Sequence, residues 1–495
     1  MKKTFFRTIV LSAMMFVGAV SVNAQNGYEV PPMDEKLTEL ANQVVEFQLS
    51  DPDKANKFFD KLLRKIRNDK EGLLSVGQFF LDKNNYAGAN MCARRIYELA
   101  PDYIPGLMFS GEVCMLRKDY GGAGQRYDEV LLQDSTNIPA LKRNAFVYKN
   151  VNPHVAVEML QRIKRLEPNN YDANKQLGDI AYNMSEYKDA VAAYGDYYKS
   201  APKDGLDIRS CENYLMSLYS VQDIDKVAQL VGELEPLAPK NLMIRRMKFF
   251  SAVDKARNSI NYDADMAKAG EAMKYLTDKE YSDSLYLYLD YAYAADLKKE
   301  LGEIPAAIGF FEQALDKDST KLQGYTELAK LYRRNKDFDK AIATYGKFIK
   351  LADKKVKLSD LLGYGQMYMY ASQQDSLPLE QKMKYIAAGD SVFQDVLAKE
   401  PDAYQAMLFR ARINIIDGSN PEDKPTELYK AALKMMEGRE KVSSAKFEAC
   451  RYLAFRGIKL DLLDEARAYT NIMLEINPNN GQTKTFDTYL KSMNK

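Results

Sequence analysis

Similar residues recur along this chain at a spacing of 34 positions. The pairs that share this spacing are Gly77 and Gly111, Tyr86 and Tyr120, Ala89 and Ala123, Ile304 and Phe338, Ala307 and Ala341, and Phe311 and Tyr345. A period of this size is typical of a repeat architecture, in which every unit packs against its neighbours in the chain. The chain has 495 residues, whereas a single hydrophobic core stops growing at about 250–300 residues. The period therefore indicates a repeat array rather than one large globular core.

Each repeat contains two segments in which apolar residues follow helical spacing, separated by a short turn. The first segment carries a small residue where a neighbouring helix approaches closely, at Gly77, Gly111, Ala145, Gly178, Ala329 and Gly365. The second segment carries an alanine that faces it, at Ala89, Ala123, Ala190, Ala307, Ala341 and Ala466. An acidic or amide residue precedes an aromatic residue at Asn85, Asp119, Glu186 and Asp337. Since such residues favour helix N-termini, we expect second helices to begin there.

One repeat carries the whole pattern, in Leu177, Gly178, Tyr187, Ala190, Tyr194 and Pro202. A small residue, an alanine twelve positions later, an aromatic four beyond it and a proline eight further on resembles the tetratricopeptide repeat. Related spacings run from Gly77 to Pro101 and from Ala454 to Pro478. The resemblance implies an all-α fold, a right-handed superhelical solenoid of about 11–12 helical hairpins closed by a C-terminal capping helix.

The repeat pattern also predicts how the chain is divided. We expect an N-terminal solenoid over residues 34–278 and a C-terminal solenoid over residues 279–495, continuous with the first, and a disordered segment over residues 25–33. The last helix is expected to place Phe486, Leu490 and Met493 on its packed face. The polar segment from Asp417 to Pro425 is predicted to be a long turn between helices.

The first 24 residues have the features of a secretory signal peptide. Lys2, Lys3 and Arg7 precede an apolar stretch, and small residues follow where a signal peptidase would cleave before Gln25. An uncleaved anchor is the alternative, but the stretch is short for a membrane span. The segment ends in Asn-Ala-Gln and resembles signals of the Bacteroidetes. We therefore predict export to the periplasm, with secretion or outer-membrane association as alternatives.

Neither charge nor motifs point to catalysis. The formal net charge is +1, which provides no broad basic surface for nucleic acid or an anionic membrane. The single histidine, His154, lies in a predicted turn and cannot complete a typical zinc site. The glycine-rich stretch from Gly121 to Gly124 lacks the lysine and hydroxyl residue of a phosphate-binding loop. We expect no enzyme activity, cofactor or metal, no nucleic-acid partner, no membrane insertion after signal cleavage and no small-molecule substrate.

Four cysteines could form disulfides in an oxidising compartment, and three full pairings are open. The resemblance places Cys92 on a second helix and Cys114 on the next first helix, surfaces that such repeats pack together. Cys92–Cys114 is therefore a candidate disulfide. The alternative is four buried free thiols, with Cys211 and Cys450 in equivalent first-helix positions.

The resemblance also implies a groove lined by first-helix residues that internal packing leaves free. The positions transferred to this sequence are Lys142, Phe146, Lys175, Tyr182, Arg209, Asn213, Tyr219, Lys330 and Arg333. We expect them to bind a partner protein or peptide, so that the chain acts as a non-enzymatic scaffold or adaptor in the cell envelope. Glycan capture, as in outer-membrane starch-binding proteins built on the same repeats, is the alternative. Those proteins usually carry a lipoprotein cysteine and use tryptophan, and this chain has no tryptophan.

Overall fold

The structure is a computed structural model that describes residues 27–415 and 424–493. In these ranges the chain forms helices joined by turns, without any β-strand, which confirms the predicted all-α class. None of the helices in these ranges is both long enough and apolar enough to span a membrane. The predicted signal peptide, residues 1–24, and most of the predicted turn from Asp417 to Pro425 lie outside the described residues.

The chain divides into two units, Met1–Ser251 and Ala252–Lys495. The helices of the first unit are α1 (Glu35–Phe47), α2 (Pro52–Ile66), α3 (Lys70–Asp82), α4 (Tyr86–Leu99), α5 (Ile104–Leu116), α6 (Tyr120–Gln133), α7 (Ile138–Tyr148), α8 (Pro153–Leu166), α9 (Tyr171–Asn183), α10 (Tyr187–Ser200), α11 (Ile208–Ser220) and α12 (Ile224–Leu234). Helix α13 (Leu242–Arg257) includes the residue at which the units divide. The division lies within α13, whereas the predicted boundary at residue 278 directly follows a later helix, Lys274–Thr277.

The second unit is built in the same way. Its helices are α14 (Tyr262–Ala272), α15 (Lys274–Thr277), α16 (Tyr288–Glu300), α17 (Ile304–Lys317), α18 (Leu322–Arg334), α19 (Phe338–Ala352), α20 (Leu358–Ser372), α21 (Leu379–Lys399), α22 (Tyr404–Ile413), α23 (Lys424–Met435), α24 (Ser443–Lys459), α25 (Leu463–Ile476) and α26 (Gly481–Ser492). Short 3-10 turns occur at Lys203–Gly205 in the first unit, and at Asp283–Leu285 and Asp353–Lys355 in the second.

Consecutive helices pair into hairpins. In the first unit, α1 packs on α2, α3 on α4 and so on to α11 on α12, and the second helix of a hairpin also contacts the first helix of the next. In the second unit, the pairs run from α16 with α17 to α24 with α25. These hairpins coincide with the repeats predicted from the 34-residue period. The structure therefore confirms stacked helical hairpins within each unit.

The turn inside most hairpins uses the same backbone conformation. A residue with positive φ lies two positions before the second helix, at Asn84, Lys118, Ser185, Gln222, Gly302, Lys336 and Asp461. The next amide donates to a carbonyl five residues earlier, as Asn85 N does to Phe80 O at 2.8 Å. This is the Schellman arrangement that closes a helix C-terminus. Among these seven, glycine occurs only at Gly302, although other residues pay about 1–2 kcal/mol in this conformation. Packing between the two helices therefore imposes the turn.

The predicted second-helix starts are correct, and two of the four predicted residues cap them with a side chain. The carboxamide of Asn85 accepts from Gly88 N and the carboxylate of Asp119 accepts from Gly122 N, both at 2.9 Å. Glu186 and Asp337 make no such bond. Glutamate is one methylene longer than the preferred capping residues, and the carboxylate of Asp337 accepts from Asn335 Nδ2 at 2.7 Å instead.

The small first-helix residues make room for an aromatic ring. A Cβ placed on Gly111 would lie 2.4 Å from Tyr127, and one on Gly178 would lie 2.5 Å from Tyr194. In the second unit a Cβ on Gly365 would lie 2.4 Å from Phe393. The predicted close approach is therefore made by the ring of the second helix in the same hairpin. The second-helix alanines predicted to face these sites are all fully buried.

The end of the described chain agrees with a capping helix, with one correction. Leu490 is buried, and Phe486 stacks on Phe455 of α24 with ring centroids 6.5 Å apart. Met493 follows the last turn of α26 and is exposed, so it does not share the packed face.

Residues 27–33, which fall within the segment predicted to be disordered, form an extended segment packed on the first unit. Tyr28 is only 7% exposed, and Val30 and Met33 pack against the hydrophobic core. The side chain of Ser75 on α3 donates to the carbonyl of Pro31 at 2.6 Å. We call residues 27–33 the strap. Apolar contacts and polar side chains of distant helices hold the strap in place. The sequence of the strap itself has no helical pattern.

Candidate partner-binding groove

A groove of about 940 Å³ crosses α7, α9 and α11, the first helices of three consecutive hairpins. We call it the first-helix groove. Five of the nine residues predicted to bind a partner line it: Lys142, Phe146, Lys175, Arg209 and Asn213. The repeat brings them together because equivalent positions of successive first helices face the same side of a stacked array. Arg143, Lys149, Asp172, Gln176, Asp179 and Asp207 also line the groove and were not predicted to do so.

A network of ion pairs fixes the middle of the groove. The ammonium of Lys175 lies 3.1 Å from Asp179 Oδ2 and 3.2 Å from Asp207 Oδ2. Burial works against its charge, but hydrogen bonds to these two carboxylates raise the pKa of Lys175 above its ordinary value. Asp207 also accepts from the hydroxyl of Ser210 at 2.7 Å. Lys175 is therefore held between α9 and α11, and its charge is largely neutralised by the chain itself.

The floor of the groove connects to the buried aromatic ring of the repeat. The hydroxyl of Tyr194 donates to Asp179 Oδ1 at 2.7 Å, and Asn213 Nδ2 donates to the Tyr194 hydroxyl at 3.3 Å. Burial, followed by the bond to Asp179, raises the pKa of Tyr194. The Tyr194 hydroxyl thus holds the side-chain amide of Asn213 in place. The ring of Tyr194 is the one that packs beside Gly178.

Three other cations of the groove are neutralised less than Lys175. Arg209 is exposed and forms no ion pair with any residue the structure describes. Lys149 lies 3.9 Å above the ring of Phe146, a cation–π arrangement that leaves the ammonium at the surface. Lys142 is 3.9 Å from Asp172 and more than a third exposed. The groove therefore offers positive charge, an aromatic face and amide groups side by side.

The four remaining predicted residues lie elsewhere. Tyr182 packs edge-on against Tyr187 with ring centroids 6.0 Å apart, and Tyr219 packs on Phe250 at 6.2 Å. In the second unit, Arg333 lies 4.5 Å from the ring centre of Tyr370. Lys330 pairs with Glu327 one helical turn away at 2.7 Å. Internal neighbours thus engage these side chains, and the structure does not bring them into the first-helix groove.

The cysteines and the histidine add no reactive group to the groove. The four cysteines are unpaired, so the candidate disulfide between Cys92 and Cys114 is not formed. Cys92 is buried beside Gly77 of its own hairpin, and burial raises the pKa of its thiol to about 12. Cys114 is half-buried near charged side chains. His154 lies exposed in the first turn of α8 rather than in a loop. Within residues 27–415 and 424–493, no cluster of histidine, cysteine and carboxylate side chains could hold a metal ion.

An apolar pocket of about 300 Å³ adjoins the first-helix groove and shares Arg143 and Phe146 with it. Its other lining residues are Leu81, Glu112, Met115, Leu116 and Tyr127. Glu112 accepts a hydrogen bond from Arg143. Sequence reasoning missed this pocket because its residues come from three hairpins and no local motif marks them.

Comparisons with known proteins give weak similarities. No protein-family model matches the sequence. Superkiller protein 3 of Schizosaccharomyces pombe is 25% identical over 196 residues, which is 37% of this chain but only 13% of that protein.

Several solved structures align with parts of this chain. The C-terminal part of a TPR repeat-containing protein from Cytophaga hutchinsonii covers 56% of this chain and 98% of its own, at 19% identity and a TM-score of 0.44. A tetratricopeptide repeat protein from Parabacteroides merdae covers 53% and 98%, at 15% identity and a TM-score of 0.32. YrrB, described as a TPR protein with an unusual peptide-binding site, covers 38% and 95%, at 16% identity and a TM-score of 0.33.

The resemblance to tetratricopeptide repeats depends on the chain's own hairpins. Hairpins recur at the predicted period, their turns share one conformation, and a small first-helix residue receives an aromatic ring of the second helix at Gly111, Gly178 and Gly365. These are the contacts that the tetratricopeptide pattern requires. The hairpins of this chain therefore resemble tetratricopeptide repeats in their spacing and in these contacts.

Proposed function

We propose that this protein is a non-enzymatic scaffold that binds a partner protein through the first-helix groove. The partner contributes an extended segment that carries acidic side chains. The observation that carries the proposal is the composition of the groove along three first helices. Five cations, one of them (Arg143) paired with Glu112 of the adjoining pocket, stand against three carboxylates there.

The charge distribution supports the choice of an acidic segment. Lys175 is neutralised by Asp179 and Asp207, whereas Arg209 is exposed without an ion pair to any described residue. Complementary charge speeds encounter and selects partners, and arginine is enriched among the residues that dominate binding energy. Phe146, nearly half exposed, offers an apolar contact beside these charges.

We further propose that the partner belongs to the cell envelope. This part depends on the predicted signal peptide at residues 1–24, which is a sequence-based expectation.

Charge reversal tests the groove. Arg209→Glu should reduce recovery of the partner from a crosslinked envelope fraction by about tenfold, a change that corresponds to about 1.4 kcal/mol. Lys188→Glu is the matched control, because Lys188 is exposed on the second helix α10 of the same unit. Quantitative mass spectrometry measures recovery, and circular dichroism checks that both variants stay folded.

Two results would contradict the proposal. Equal losses for both variants would mean that the effect is not specific to the groove. Specific binding of an oligosaccharide by calorimetry, with no protein recovered, would favour glycan capture instead.

A further inference from the structure

The strap lies on the first helices of three consecutive hairpins. Gly27 contacts Pro139 at the start of α7 so closely that a Cβ on Gly27 would be 2.3 Å from Pro139 Cβ. The same Cβ would lie 3.6 Å from Met108 on α5. Further along, Ser75 on α3 donates to Pro31 O. The strap therefore covers first helices in the way that a bound peptide would, next to the helices that form the first-helix groove.

Tyr28 is the centre of this contact. Its hydroxyl lies 2.7 Å from Glu112 Oε2 and 2.9 Å from Gln78 Oε1, and Arg143 donates to the other oxygen of Glu112. Gln78 is itself oriented, because its amide nitrogen donates to Asp82 at 2.9 Å. Burial raises the pKa of Tyr28 above its ordinary value, so the phenol stays protonated and can donate. The phenol therefore donates its single proton to Glu112, which Arg143 also holds, while Gln78 Oε1 lies beside it as a second acceptor.

The phenol site opens toward the proposed binding surface. Glu112 and Arg143 also line the apolar pocket of about 300 Å³, and Arg143 and Phe146 lead on to the first-helix groove. Leu116 and Phe146, which line the pocket, are 51% and 47% exposed. A segment that took the place of the strap could therefore continue directly into the groove.

We infer that Gln78, Glu112 and Arg143 form a tyrosine-accepting subsite of the partner-binding surface, which the strap fills in the free protein. A partner segment with a tyrosine in extended conformation displaces the strap and places its own phenol on Glu112 and Gln78. This inference rests on the proposed function and extends it by a residue preference and a built-in competitor.

The contacts of the strap allow it to leave. It is extended rather than helical, and the helices beneath it make their own backbone hydrogen bonds and pair with α4, α6 and α8. When the phenol departs, Glu112 keeps its bond from Arg143. An incoming phenol restores the bond that the departing one breaks, so exchange leaves no buried group unsatisfied.

A labelled copy of the strap tests this inference in the full-length chain. The probe is a fluorescent peptide with the sequence of residues 27–33, and its binding is measured by fluorescence anisotropy. We expect the peptide to bind the Tyr28→Ala chain at least about tenfold more tightly than the wild-type chain. Its affinity for the Tyr28→Phe chain should lie between these two values. The same peptide carrying Tyr28→Phe should bind the Tyr28→Ala chain about tenfold more weakly, since it cannot donate to Glu112.

The variants separate the possible results. Equal binding by all three chains, or equal affinity of the two peptides, would overturn the inference. If Tyr28→Ala unfolds the first hairpins, the Tyr28→Phe chain serves instead, because it keeps the aromatic ring. We still expect that chain to bind the peptide more tightly than the wild-type chain does. The test does not use the partner, so its failure would leave the Arg209 result intact, and loss of the Arg209 effect would leave the phenol subsite intact.

Discussion

Two largely buried carboxylates, one in each unit, are held in different ways. Asp390 on α21 receives Arg410 Nε at 2.8 Å, Lys424 Nζ at 3.0 Å and Gln394 Nε2 at 2.8 Å. Asn414 Nδ2 adds a further bond at 3.1 Å. Glu112 on α5 accepts hydrogen bonds from Arg143 and from the hydroxyl of Tyr28 in the strap.

The pKa values reflect this difference. Burial alone would raise the pKa of Asp390, but the bonds from Arg410 and Lys424 lower it below its ordinary value. Burial raises the pKa of Glu112, and its bonds from Arg143 and Tyr28 do not offset the effect. A carboxylate saturated by helical donors stabilises the fold, whereas one that depends on an extended segment can exchange a donor. This contrast separates a structural site from a recognition site.

The largest effect is expected at the structural site. Asp390→Asn leaves Arg410, which is mostly buried, without its counter-charge. Removing one partner of a buried ion pair costs about 3–5 kcal/mol, and we expect that loss in the free energy of unfolding, measured by urea denaturation. Asp402→Asn is the control, because Asp402 is mostly exposed and its pair with Arg439 is worth less than about 1 kcal/mol. Similar losses for both variants would show that Asp390 is not a structural centre.

A smaller loss is expected at the recognition site. Glu112→Gln keeps a carbonyl that can accept from Tyr28 but removes the charge facing Arg143. We expect the free energy of unfolding to fall by about 1–2 kcal/mol, measured in the same denaturation experiment. A loss as large as that of Asp390→Asn would mean that Glu112 also supports the fold, and the contrast would fail.

The pH dependence should be the smallest effect and should have opposite signs. The folded-state pKa of Asp390 is lowered from 3.8, so its stabilising contribution is present above pH 3.8 and disappears as the pH falls through the folded value. The folded-state pKa of Glu112 is raised from 4.5, so its contribution is most favourable below pH 4.5 and decreases as the pH rises through the folded value.

Denaturation of the wild type and both variants from about pH 7 to about pH 3 measures these trends. The cost of Asp390→Asn should shrink at the acid end, whereas the cost of Glu112→Gln should grow. Parallel curves for the two variants would contradict the different roles of the carboxylates.

The hairpins could be predicted from the sequence because each one is encoded locally. Gly178 and Tyr194 lie in one repeat, and their spacing recurs, so a period search finds the contact they make. First-helix positions follow the same period, which is why Lys142, Lys175 and Arg209 line one groove.

The remaining features depend on contacts between distant residues. Tyr28 meets Gln78 and Glu112, which are 50 and 84 positions away, and no periodic pattern links them. The strap contains Pro31 and Pro32 and lacks helical spacing, so its sequence alone resembles a disordered tail. Arg333 was predicted to be one of the groove residues that internal packing leaves free. That prediction did not account for the ring of Tyr370, from the following hairpin, which lies beside Arg333.

Site-specific photo-crosslinking tests the groove most directly. A photo-reactive residue at Phe146 places the probe between the first-helix groove and the apolar pocket. Leu132 is the control, because it is 86% exposed on the second helix α6 of the same unit. We predict one defined protein adduct at position 146, lost when Arg209→Glu is added, and none at position 132. Equal adducts at both positions, or adducts at position 132 alone, would contradict binding through the first-helix groove.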